Sequence, residues 1–170
     1  MSLTDREFWG LIHGMGAGAV FLLAFAGGLA GLWSLRPGLV TDAGITERVW
    51  RLKIGTWVMA VAAWVTVITG TWIVYPWYRD PAPDSPKSLL VANPKTVDWH
   101  EFGMEWKEHI AWLAPVLATA VAFAVTYYGT DLIKHQGVRK GLMIFFTLAV
   151  VIAGVAGLFG ALITKVQPVL

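Results

Sequence analysis

The chain has 170 residues, 56% of them hydrophobic and 14% charged, with a mean hydropathy of +0.61, a balance that excludes an ordinary water-soluble domain. Its formal charge of +2 would point to nucleic acid in a soluble protein, but here the basic residues sit beside apolar stretches, where they orient a membrane chain, and no nucleic-acid partner is expected. Cysteine is absent, which excludes disulfides, thiolate metal sites, iron–sulfur clusters and thioether-linked haem.

From Phe8 to Leu35 the sequence is almost uncharged, interrupted by His13 and Ser34, and it exceeds the roughly 20 residues a bilayer crossing needs. A first span is expected at about 8–35, ending at Arg36-Pro37-Gly38, where a positive charge precedes a helix breaker and a turn former. The preceding residues lack the basic region of a signal peptide, so this span is expected to remain in the mature protein. Thr46 is the expected cap of a second helix, spanning about 48–75 and closed by Pro76.

From Pro76 to Val97 there are five prolines and mixed charges, which predicts turns and extended backbone; the long loop is placed at about 76–105. Within it, Asp98-Trp99-His100-Glu101 fits a capping box and predicts that the third helix begins near Trp99, outside the lipid. The third span is expected at about 106–128, with Pro115 as a tolerated kink and Gly129 as the stop. The last span is expected at about 138–164.

The expected fold is therefore a single all-α membrane domain over 1–170, a bundle of four transmembrane helices. Arg36, Arg48, Arg51, Lys53, Lys134, Arg139 and Lys140 flank the two short connections, which places these in the cytoplasm and both termini and the long loop outside. Tryptophans near the helix ends agree with these boundaries. Gly10, Gly14 and Gly18 in the first span, and Ala153, Gly157 and Ala161 in the last, form small-residue stripes that allow close helix packing. Beside His13, the first stripe would also admit the flat face of a macrocycle.

An ionisable group inside a span is costly and marks a functional candidate. His13 is the clearest such group, roughly 7–8 Å along its span from the outer end. His109 lies at the lipid boundary on the same side, so two imidazoles on helices running in the same direction can stand at comparable depth and serve as axial ligands of a haem iron. Arg79 and Lys107, near the same face, are candidate partners of haem propionates, and Gly14 is a candidate neighbour of the ring. A histidine near an interface also serves to hydrogen-bond a neighbouring helix, and both readings of His13 stand.

A different reading takes Glu105 and His109, four residues apart, as two ligands of a metal ion, although no matching second pair occurs. Tyr75, Trp77, Tyr78, Arg79 and His100 border the outer face as a candidate quinone-headgroup site or as part of the aromatic belt. Nothing in the chain has the pattern of a hydrolase triad, a phosphate-binding loop or an HExxH metal helix.

Four apolar helices with His13 and His109 on facing spans resemble the small bacterial b-type cytochromes that exchange electrons with the quinone pool. The resemblance implies one haem b, a place in the bacterial inner membrane, quinone as a candidate partner, and association with other membrane subunits or further copies of the chain. It departs from the usual two-haem pattern in having no histidine pair near the inner face, which implies no electron transfer across the whole membrane. A subunit of a membrane oxidoreductase is expected, not an enzyme by itself. The alternative is a cofactor-free accessory subunit of a larger membrane complex.

Overall fold

A computed structural model of the chain describes residues 3–166; the extreme ends of the 1–170 domain lie outside the described residues. The described residues are helical, with no strand among them. Four helices are long and apolar enough to cross a membrane: α1 Asp5–Ser34, α2 Asp42–Tyr78, α4 Trp99–Ile133 and α5 Gln136–Val166, with the short α3, Pro86–Ala92, between the second and third of these. Only 22–33% of the most apolar window of each long helix is buried, so most of its apolar side chains face outward. Leu23 (74% exposed), Trp72 (64%) and Phe123 (61%) are among them. In water such a surface is untenable, whereas in hydrocarbon it is the solvated face. The chain is an integral membrane protein.

Helix boundaries depart from expectation where local chemistry competes. The N-terminal helix begins at Asp5 because Thr4 and Glu7 close a complete capping box, with Thr4 Oγ1 accepting from the Glu7 amide and the Glu7 carboxylate accepting from the Thr4 amide at 2.8 Å. The second helix is capped by Thr41, not Thr46: Thr41 Oγ1 accepts from the Gly44 amide at 3.2 Å, and the helix starts at Asp42. The capping box expected at Asp98 does not form, because Asp98 already has helical dihedrals (φ −61°, ψ −25°) and makes no side-chain cap.

Pro76 does not close the second helix. A widened π turn at Gly70–Val74 precedes it, and helix continues through Tyr78 beyond the missing amide. At Pro115 the expected irregularity is present: the α-helical run stops at His109 and resumes at Leu113, so the break falls at the carbonyl of Ala111, which Pro115 cannot bond. Gly129 adopts φ +51°, a left-handed conformation that ends the α-helical run and suits glycine.

The described residues divide into two compact units. The first comprises the residues up to Gly18, Val65–Trp112, and those from Ile152 onward. Its core gathers Tyr78, Leu90, Met104 and Ile163, flanked by Tyr75 and Trp99. Much of the expected loop is thereby ordered: Ser85 caps α3 by accepting from the Ser88 amide, and Leu90 on that helix is almost wholly buried.

The second unit comprises Ala19–Trp64 and Leu113–Val151. Its core is built from Leu32, Met59, Val121, Val125 and Phe146, all without appreciable exposure. Gly28 admits the Phe146 ring so closely that an added Cβ would stand 2.6 Å from Phe146 Cε1. Two tryptophans of α2 also reach α4 through hydrogen bonds, Trp57 Nε1 to Thr126 Oγ1 at 3.1 Å and Trp64 Nε1 to Thr119 Oγ1 at 3.0 Å. Each satisfies a polar group where lipid offers no partner.

The small-residue stripes do not have the expected packing role within the chain: a Cβ added at Gly10, Gly14, Gly18 or Gly157 would meet nothing within 4 Å. The close approaches occur instead at Gly28, Gly31, Gly70 and Gly160.

Candidate functional site

The first unit holds the chemistry. His13 lies in a π turn, Ile12–Gly16, that widens α1 by one residue. Its imidazole is partly buried against the second helix, where Nδ1 stands 3.2 Å from Thr69 Oγ1. The Thr69 hydroxyl donates to the Val65 carbonyl at 2.7 Å, which leaves its oxygen to accept. With that oxygen as acceptor, Nδ1 of His13 is the donor of this bond, and the Thr66 backbone is a further hydrogen-bonding neighbour of the ring.

Gly70 makes room for this ring, since a Cβ there would stand 2.6 Å from His13 Cε1. Gly70 also opens the π turn of α2, so two irregular turns meet at the histidine. The charge of Lys107 acts on His13 across the same unit, while the Lys107 ammonium stands 2.7 Å from where a Cβ on Gly160 would lie. Gly14, next in sequence, is exposed and open. Thr69 and Gly70 were not singled out by sequence; the polar interruption Thr69-Gly70-Thr71 in an otherwise apolar stretch is the signal that marks them.

His109 has the opposite exposure. Its side chain is 70% exposed, and Nδ1 lies 2.9 Å from the backbone carbonyl of Glu105. A carbonyl can only accept, so Nδ1 is the donor of this bond. The Glu105 carboxylate approaches the same nitrogen at 3.6 Å. Across from it, Arg79 Nη2 donates to both oxygens of Glu108 at 3.1 Å and to Glu105 at 3.4 Å, with its guanidinium 4.8 Å from the centre of the Tyr75 ring. The Tyr78 hydroxyl and His100 Nδ1 share a hydrogen bond of 2.9 Å, and Tyr75 and Tyr78 stack.

The arrangement thus joins Arg79 to Glu105 and Glu108, Glu105 to His109, and His13 to Thr69, Gly70 and the field of Lys107. His13 bonds to α2 and His109 to its own helix; among the described residues no direct bond joins the two. Among the described residues no group of three or more histidine, aspartate or glutamate side chains is gathered as for a metal ion, and Glu105 and His109 stand as a pair. Of the aromatic residues expected to receive a quinone head, Tyr78 is buried and bonded to His100. The chain matches no protein family, no curated protein and no solved structure.

Proposed function

We propose that the protein is an electron-transfer subunit of the membrane that would hold one haem b near its outer face through Nε2 of His13 and Nε2 of His109. The observation that carries this reading is the hold on the two rings: Nδ1 of His13 meets the Thr69 hydroxyl and Nδ1 of His109 meets the Glu105 carbonyl, so ligation would fall to Nε2 of each. Histidines that bind metals are held in this way, because the second bond fixes the tautomer, aims the ring and raises its basicity. When bound, such a haem supplies a one-electron carrier. Thr69 orients His13, Gly70 lets the ring lie against α2, and Lys107 offers a positive charge for a propionate; Arg79 is already engaged by Glu105 and Glu108. The open surface at Gly14 suits the approach of a flat ring.

The electrons would be exchanged with quinol or with a neighbouring protein on the outer side. No second histidine pair lies near the other face, which limits the protein to transfer at one face. This reading puts the chain in the inner membrane of a bacterium, and the basic residues flanking the short connections support an orientation with both termini and the 76–105 segment outside.

A second reading has an observation of its own: the exposed stripe Gly10, Gly14 and Gly18 suits a helix of another subunit, as in a cofactor-free accessory chain of a larger complex. Exogenous imidazole separates the two. Protein from haem-replete cells is expected to lose its low-spin spectrum in His109→Gly and to regain it with millimolar imidazole, because that ring is exposed. Colourless, folded wild type would overturn the haem and leave the accessory role, whereas a spectrum that survives in both His13→Gly and His109→Gly would overturn these two histidines as its ligands.

A further inference from the structure

The second unit carries a cationic cavity unrelated to the histidines. It has a volume of about 250 Å³ and is lined by Arg36, Gln136, Arg139, Lys140 and Met143. Three of these are cations, and no carboxylate lines the cavity with them. Of the acids in this unit, Asp131 pairs with Lys134 at 2.7 Å and Glu47 with Arg51 at 2.7 Å, and Asp42 is not among the lining residues. Arg139 is only 4% exposed, and its guanidinium is met by two backbone carbonyls, those of Ile133 at 3.2 Å and Leu132 at 3.4 Å, instead of by an acid. A buried guanidinium beside two further cations is costly unless an anion joins it. Gln136 is the first residue of α5, so the positive end of that helix adds to the same field.

The surroundings identify the source of the anion. Beyond Met143, α5 exposes Ile144 (59%), Phe145 (47%) and Leu148 (44%), an apolar wall continuing from the cationic end. Trp33 is 53% exposed and lies under the Arg36 guanidinium at 4.3 Å, the position of an aromatic ring at headgroup level. A free phosphate would use only the cations, whereas a phospholipid would use the cations and the apolar wall together.

The geometry points to a binding site for an anionic phospholipid, its phosphate among Arg36, Arg139 and Lys140 and its acyl chain along α5. Cations on a membrane face attract anionic lipid in general, but a cavity that converges three of them retains single molecules. The test is native mass spectrometry of the full chain released from nanodiscs of phosphatidylcholine with phosphatidylglycerol. Wild type is expected to retain phosphatidylglycerol and not phosphatidylcholine. Arg36→Gln with Lys140→Gln is expected to bind it at least about fivefold more weakly for each cation removed. This pair is chosen because Arg139→Gln would also lose bonds to two backbone carbonyls. Arg48→Gln with Arg51→Gln, which removes cations outside the cavity, is expected to leave retention unchanged. Equal retention of phosphatidylcholine, unchanged retention in the Arg36 and Lys140 pair, or equal loss in the Arg48 and Arg51 pair would overturn the site. Complete displacement by millimolar inorganic phosphate would overturn the lipid as its occupant.

Discussion

At the residue scale, the contacts of His13 decide what the ring can do. A hydroxyl that already donates to its own helix offers Nδ1 of His13 an acceptor, and the Glu105 carbonyl offers one to Nδ1 of His109. Sequence spacing singled out both histidines. It could not supply the acceptors, because Thr69 lies 56 residues from His13 and their meeting depends on how α1 packs on α2. Thr69→Val keeps the shape and removes the acceptor. It is expected to lower stability in detergent by about 0.5–1.5 kcal/mol, measured by thermal unfolding, with Thr69→Ser restoring most of the loss. An unchanged melting point in Thr69→Val would mean that the bond does not hold the ring.

At the element scale, the spans were legible because an apolar run of roughly 20 residues bounded by charge has the length of a bilayer crossing and too little polar surface for a helix in water. Their ends were less so. Thr41 and Thr46 are both suitable caps in sequence, and the choice falls to the one whose hydroxyl meets an amide of the first turn. Pro76 reads as a stop, yet a π turn beginning at Gly70 carries the helix past it. The glycine stripes misled for a related reason: periodicity shows that small residues share a face, not that a neighbouring helix covers it. Gly28 and Gly14 make the distinction measurable. Gly28→Ala drives a methyl into the buried Phe146 ring and is expected to cost about 1–3 kcal/mol in detergent unfolding. Gly14→Ala meets nothing and is expected to be near neutral in the isolated chain. A large loss for Gly14→Ala alone would show that a further subunit packs there.

At the scale of the whole molecule, an outward-facing apolar surface requires a bilayer, and among the described residues no buried side-chain nitrogen or oxygen lacks a hydrogen-bond partner. Trp57 and Trp64 bond to threonines of α4, and Arg79 gathers two glutamates. His13 is the exception in kind, a histidine within an apolar span whose second nitrogen has no need of a protein partner if an iron takes it. The most direct measurement is the reduced-minus-oxidised absorption spectrum of the full chain, purified in mild detergent from haem-replete cells, beside His13→Ala prepared in the same way. Sharp b-type bands in the wild type that vanish in His13→Ala are expected; a featureless spectrum from folded wild type, or bands that persist without His13, would contradict a haem held by this histidine.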